Sequence, residues 1–258
     1  VELAVCTEHN LHADYRQAAE ALGVAKYFTS IPGNEVTTQR GHFNIFPVSM
    51  TAPPPDAKLQ SWPELMQSNR STPGVQVVVL NHPHDVHSGF TPMGAANFNP
   101  VTGKNRRGPD FSFDAMELIN SGAMRSDWME PVRTWFALLN REYRITGIGA
   151  SDSHDVSRFI VGQGRTYIRA EDSEPGEINV AKACPNLLAG RAIVSLGLFP
   201  ELRVGGLGPG ELVSFEKGMK AEARVISASW IRPKKMEFYA NGVSVHQTEI
   251  DLSTNGEG

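Results

Sequence analysis

The sequence predicts an α/β fold over about its first three quarters, followed by a small β-rich module. Strand-like and helix-like segments alternate up to about Pro200, which favours parallel strands joined by crossover helices, in an open sheet or a barrel. After Pro200 the pattern changes to short strands and glycine turns without a helix. We therefore place a boundary near residue 199, between an α/β domain at 1–198 and a β-rich module at 199–258, and whether that module is complete stays open.

Each predicted strand is a short apolar run bounded by turn residues. The predicted strands are Leu3–Thr7, Lys26–Ser30, Asn44–Val48, Gln76–Asn81, Ala115–Ile119, Ile145–Gly149 and Arg165–Arg169. The predicted helices between them are Asp14–Leu22, Leu59–Arg70, Met129–Tyr143 and Glu177–Gly190. In the β-rich module, an Asn241-Gly242 turn between Lys235–Ala240 and Val243–His246 predicts a hairpin.

Composition excludes several classes of protein. No apolar run approaches the roughly 18–20 residues of a membrane span, and the mean hydropathy is -0.27. A net charge of -4 without a dense basic run argues against nucleic acid as a partner. The two cysteines, Cys6 and Cys184, exclude a disulfide framework and a cysteine-based zinc site, although a single disulfide stays open. Neither compartment nor oligomeric state is indicated.

Histidines and carboxylates follow four of the predicted strands. They are His9 after Leu3–Thr7, Glu35 after Lys26–Ser30, His82 after Gln76–Asn81, and Asp152 with His154 after Ile145–Gly149. In parallel α/β folds the carboxyl ends of the strands converge on one site. Imidazoles and carboxylates without cysteine suit Zn, Mn or Fe, and several of them together suit a multinuclear hydrolytic centre.

Each of these residues also has a structural interpretation. A lone histidine after a strand is more often a hydrogen-bonded core or loop residue, and we assign His12, His87 and His246 to that class. Asp152-Ser153-His154 alone could equally be an Asx-turn. The coincidence of four such segments with strand ends favours the metal site. The competing hypothesis is a non-catalytic carbohydrate- or surface-binding protein that retains a vestigial metal site.

Four segments, in this order, resemble the motifs of the PHP (polymerase and histidinol phosphatase) superfamily over residues 1–170. They are Thr7-Glu8-His9-Asn10, similar to T-D-H-N; Gly33-x-Glu35 with Gly41-His42-Phe43-Asn44; Asn81-His82-Pro83-His84; and Gly149-Ala150-Ser151-Asp152-Ser153-His154. Three further segments are similar to the CehA/McbA-like branch of that superfamily. They are Asp14-Tyr15, Gly41–Pro47, and Leu188–Ser195 leading into the β-rich tail.

The resemblance implies a distorted (β/α)7 barrel that hydrolyses a phosphoester or a carboxyl ester, amide or carbamate with two or three divalent metals. Carried over to this chain, it makes Glu35 the carboxylate that bridges two metals. His42 and His82 would complete the protein ligands of the second metal, and Asp152 would join Glu35 as a ligand of the first. His9 and His154 would hold a third metal. The partner that we expect for the hydrolase is a small-molecule substrate.

The chain departs from the family pattern at its beginning. Glu8 stands where Asp is usual, and the opening H-x-H motif is absent. We therefore expect an N-terminally truncated barrel, with the H-x-H strand upstream of Val1, and poor activity unless His12 or His84 substitutes.

His84 has a second candidate role. It could donate a proton to the leaving group or hydrogen-bond the substrate, the alternative being a surface role. The segment from His84 to Asp110 is a candidate lid because it lacks periodicity and is long for a loop. Its cations could meet a phosphate or carboxylate, or they could simply be solvated. They are Lys104, Arg106 and Arg107.

Overall fold

The computed structural model describes residues 1–84, 91–106, 111–122 and 127–250. Within these ranges, four α-helices lie between the strands: α1 (Arg16–Ala21), α2 (Trp62–Ser71), α3 (Met129–Leu139) and α4 (Val180–Leu188). The first nine strands are β1 (Leu3–Val5), β2 (Thr29–Ile31), β3 (Asn34–Thr38), β4 (Gly41–Phe46), β5 (Val77–Leu80), β6 (Ala115–Asn120), β7 (Thr146–Ala150), β8 (Arg165–Ile168) and β9 (Ala192–Ser195). The last four are β10 (Leu198–Val204), β11 (Ala221–Ser227), β12 (Lys235–Ala240) and β13 (Val243–Glu249).

A mixed five-stranded sheet forms the centre of the molecule, in the order β3-β4-β5-β6-β7. The pairs β3-β4 and β4-β5 are antiparallel, whereas β5-β6 and β6-β7 are parallel. Strands β1 and β2 form a separate parallel pair, and β8 and β9 an antiparallel one. Beyond Leu198 the described strands form two antiparallel pairs, β10-β11 and β12-β13.

The prediction of a (β/α)7 barrel is therefore wrong. A barrel of this type needs parallel strands that close on themselves through crossover helices. Here β3 and β4 form a hairpin with no helix between them, and none of the sheets in the described ranges closes. The parallel arrangement predicted for the α/β domain is found only in β1-β2 and β5-β6-β7 among the pairs that the structure describes.

Apolar side chains cover both faces of the central sheet. On one face, α2 contributes Trp62, Leu65 and Met66 to a core that includes Phe43 and Leu80. Because side chains alternate along a strand, Val77 and Val79 of β5 point to the other face. There they pack with Cys184 and Leu187 of α4 and with Ile31 of β2.

The cysteines and the helices bear on two of the sequence predictions. Cys6 and Cys184 are both buried and free, so they do not form the disulfide that the sequence left open. In the described part of the chain, no helix is long and apolar enough to cross a membrane, as the composition predicts.

Candidate metal centre

The β3-β4 hairpin brings together the first two side chains of the site. Thr37 of β3 lies opposite His42 of β4 in the antiparallel register, and Glu35 shares the face of Thr37 because it is two residues away. Glu35 and His42 therefore project from the same face, and His42 Nδ1 lies 2.9 Å from Glu35 Oε1. Sequence reasoning placed Glu35 after a strand, but it lies inside one.

His82 completes a buried group of three. It follows β5, and its Nε2 lies 3.8 Å from Glu35 Oε1. Its ring centroid is 4.8 Å from that of His42, in an edge-to-face arrangement. The ligand atoms of Glu35, His42 and His82 all lie within 4.8 Å of one another, and all three residues are buried. The structure thus brings together three of the six predicted metal ligands.

His9 and His154 lie on the open side of this group. His9 Nδ1 is 3.7 Å from Glu35 Oε2 and 2.6 Å from Thr37 Oγ1. Its Nε2 is 3.3 Å from His154 Nε2, although the two residues come from distant parts of the sequence. About half of each of these two imidazole side chains is exposed, in contrast to the buried three.

Asp152 lies behind His154. Its Oδ1 is 3.6 Å from His154 Nδ1, and its Oδ2 accepts a hydrogen bond from Asn120 Nδ2 at 3.2 Å. Asp152, His9 and His154 are outside the tight group of three. The predicted sharing of a metal between Asp152 and Glu35 stays a prediction.

The buried group holds a charged pair. Burial by itself would raise the pKa of Glu35, but its contacts with His42 and His82 hold that pKa well below its usual range. Burial would lower the pKa of His82, but the contact with Glu35 and the charges of Glu117 and Asp152 raise it to about 9. Without a metal, His82 is therefore the cation that balances the Glu35 carboxylate near neutral pH.

The donor set fits a divalent transition metal. Glu35 Oε1 is buried, and it accepts no hydrogen bond from the described residues. A buried carboxylate oxygen in that position needs a cationic partner, which is His82 in the metal-free protein and would be the ion in the metal-bound protein. Two imidazoles and one carboxylate are the ligands of Zn, Mn and Fe sites, and three protein ligands leave coordination positions open. Glu35, His42 and His82 would hold the ion.

His84 lies away from this group, against α3. Its Nε2 is 2.8 Å from Thr134 Oγ1, and its Nδ1 is 3.3 Å from Glu130 Oε1. His84 is buried, and burial lowers its pKa, so the ring is neutral near pH 7. Its catalytic role stays a prediction, because these contacts are with α3.

The other histidines occupy three different settings. His12 is buried, and its Nδ1 lies 3.2 Å from Asn34 Nδ2. His246 is exposed on β13, where its ring stacks at an angle on Phe238. His87 lies outside the described residues. Neither His12 nor His246 belongs to the tight group of three.

The candidate lid is described only in part. Residues 91–106 form turns that pack onto the core through Met93 and Phe98. Lys104 and Arg106 are exposed, whereas Arg107 and the other residues at 85–90 and 107–110 lie outside the described ranges. The described part thus folds against the protein.

Sequence reasoning missed two polar side chains behind the site, Glu117 and Asn120 of β6. Both are buried, and burial raises the pKa of Glu117 to about 7. Their signal was present in the sequence, since a carboxylate and an amide interrupt the apolar strand Ala115–Asn120. Buried polar groups of this kind need partners.

Comparisons of the chain with protein-family models, curated proteins and solved structures find no match. The resemblance to the PHP superfamily therefore stays a prediction.

Proposed function

We propose that the chain is a metal-dependent hydrolase that acts on a phosphoester or on a carboxyl ester, amide or carbamate through a metal-activated water. One observation carries this proposal. Glu35 is buried between His42 and His82, with the imidazoles of His9 and His154 beside it on the exposed side. A purely structural ion pair would not need two further imidazoles at its open edge.

The buried residues and the exposed residues have different parts in this proposal. Glu35, His42 and His82 would hold the ion, and Glu35 is charged because its pKa is low. A bound divalent ion lowers the pKa of a water and polarises a carbonyl or phosphoryl oxygen. The substrate approaches from the side of His9 and His154, since these side chains are the accessible ones.

When no third metal is bound between them, His9 and His154 can hold a proton at the open edge. Their Nε2 atoms are 3.3 Å apart, so one of them must donate if they form a hydrogen bond. Asp152 lies 3.6 Å from His154 Nδ1, and its backbone oxygen is 3.0 Å from the same atom. These contacts favour a proton on His154 Nδ1 and leave its Nε2 as the acceptor. His9 Nε2 would then carry the proton that is donated to His154 Nε2.

The test compares Glu35→Gln with a matched surface variant, His246→Ala. We expect the parent chain, loaded with Zn²⁺ or Mn²⁺, to hold at least one metal by elemental analysis and to hydrolyse an aryl phosphate or an aryl ester. Glu35→Gln removes the buried charge and lowers metal affinity by about 10-fold or more, while His246→Ala binds as the parent does. His246 is exposed on β13.

Two outcomes would contradict the proposal. Folded parent protein with almost no bound metal would overturn the assignment of Glu35, His42 and His82. Full metal content without turnover of either substrate class would favour a non-catalytic binding protein.

A further inference from the structure

A bulge in β6 brings Glu117 and Asn120 to the same face of the central sheet. In a regular strand, residues three positions apart point to opposite faces. The pairing of β6 with β7 shifts between Glu117, which pairs with Ile148, and Ile119, which pairs with Gly149. One extra residue in β6 restores the common face. β6 lies between β5, which precedes His82, and β7, which precedes Asp152.

Glu117 holds the backbone of His82. Its Oε2 accepts a hydrogen bond from the His82 backbone N–H at 2.6 Å. The same oxygen accepts from Asn120 Nδ2 at 2.8 Å. Glu117 is only 3% exposed, so water does not compete with these donors.

Asn120 extends the same connection to Asp152. Its amide nitrogen donates to Asp152 Oδ2 at 3.2 Å as well as to Glu117. Its amide oxygen accepts from the Gly122 backbone N–H at 2.9 Å. Because the oxygen has its own donor, the orientation of the amide is fixed, and both of its N–H groups point at carboxylates.

Both residues that this bridge holds have an unusual backbone. His82 has φ +23° and Asp152 has φ +50°, a region that non-glycine residues adopt only when their surroundings require it. Both lie where a parallel strand of the central sheet ends. The hydrogen bonds from Glu117 and Asn120 therefore act on residues whose backbone conformation depends on support from its surroundings.

We propose that Glu117 is a positioning residue, which directs His82 towards Glu35 and, through Asn120, sets Asp152 beside His154. The inference rests on the proposed function, because it assumes that His82 is a ligand. In this role Glu117 would contact neither metal nor substrate. Its contribution is the hydrogen bond acceptor, so a neutral acceptor of the same shape can replace it.

The experiment measures binding of Co²⁺ to the protein and the visible absorption of the bound ion, which reports its ligand geometry. Glu117→Met keeps the volume and removes the acceptor, and Glu117→Gln keeps an acceptor. We expect Glu117→Met to weaken Co²⁺ binding by about 10- to 100-fold and to change the spectrum. Glu117→Gln should keep the parent spectrum and bind within about 3-fold of the parent.

A carboxylate at the other end of the same strand pair provides the control. Asp114 Oδ2 accepts from the Val78 backbone N–H at 2.8 Å and pairs with Arg70 at 2.7 Å. Asp114→Leu therefore removes a carboxylate that also holds the backbone of β5. We expect it to lower the midpoint of urea unfolding while Co²⁺ binding stays as in the parent.

The outcomes separate this inference from the proposed function. If the parent binds no Co²⁺, both are overturned. If the parent binds Co²⁺ and Glu117→Met binds it with the same affinity and the same spectrum, only the positioning role is overturned. If Glu117→Gln loses as much Co²⁺ affinity as Glu117→Met, the effect comes from the charge of Glu117 and not from its hydrogen bonds. That result would also overturn the positioning role. If Glu117→Met does not fold, Asn120→Leu decides: unchanged Co²⁺ binding would contradict the bridge, and weakening of about 3-fold or more supports it.

Discussion

We expect the metal-free protein to be more stable at pH 6 than at pH 9, because His82 loses a proton and Glu117 ionises as the pH rises. The folded pKa of His82 is about 9, above its ordinary value of 6.5, so its stabilising contribution is complete below pH 6.5 and is lost as the pH rises through 9. The folded pKa of Glu117 is about 7 against 4.5, so ionisation of this buried carboxyl also disfavours the folded state as the pH rises.

Both effects have the same sign, so we expect the free energy of unfolding to fall by on the order of 2–4 kcal/mol between pH 6 and pH 9. Urea unfolding in the presence of a chelator measures it. Glu117→Gln should flatten part of this dependence, whereas His246→Gln on the exposed hairpin should not. A stability that stays level or increases towards pH 9 would contradict the prediction.

Several residues of the site could be found from the sequence because their chemistry is specific. Glu35, His42 and His82 form the buried group in the structure, and His9 and His154 lie at its exposed edge. The supporting residues could not be found in this way. Glu117 reaches His82 only through a bulge, and no periodicity in the sequence marks the extra residue.

At the scale of elements, α3 holds the segment that follows β5. Thr134 and His84 are both buried and lie 2.8 Å apart at their polar atoms. Thr134→Val keeps the shape of the side chain but leaves His84 Nε2 without this partner. We expect a loss of about 1–3 kcal/mol in the free energy of unfolding, with metal affinity unchanged.

Urea unfolding of Thr134→Val beside Thr248→Val checks this prediction, because Thr248 is exposed on β13. If the two variants are equally stable, the His84–Thr134 contact does not hold the segment. A lower rate of hydrolysis in Thr134→Val, with normal metal binding, would instead support the predicted catalytic role of His84.

Most helices and strands could be predicted, but their arrangement could not. The predicted strand Gln76–Asn81 is observed as β5 (Val77–Leu80), and the predicted helix Leu59–Arg70 as α2 (Trp62–Ser71). Strand β3 was missed because Asn34-Glu35-Val36-Thr37-Thr38 contains a single strongly apolar residue. Its polar side chains serve the site, so its composition does not resemble that of a buried strand. Without β3 the hairpin disappears, and a parallel barrel becomes the natural expectation.

At the scale of the whole molecule, the last described hairpin rests on α3. The rings of Phe136 and Tyr239 lie 5.7 Å apart, and Asn140 Nδ2 donates to Asn241 O at 2.9 Å. These contacts cross the predicted boundary near residue 199. Whether 1–198 and 199–258 fold separately stays a prediction.

We expect Phe136→Ala to loosen β12 and β13 while leaving metal affinity unchanged, because every residue of β13 is exposed and Phe136 packs against Tyr239 of β12. Hydrogen exchange measured by mass spectrometry should show faster exchange in 235–249. Phe215→Ala is the control, since Phe215 is 90% exposed. Equal exchange in the two variants would show that α3 does not hold the hairpin.

The β3-β4 hairpin also sets the order in which the site assembles. A tight turn at residues 39–40 joins the strands that carry Glu35 and His42, so this half closes a very short loop. His9 and His154 are 145 positions apart, and the entropic cost of closing a loop increases with its length. We therefore expect the hairpin half to form early in folding and the exposed histidine pair to form late. In the native protein, the same pair would be the first part of the site to open, which would provide a route for exchange with solvent while the hairpin stays folded.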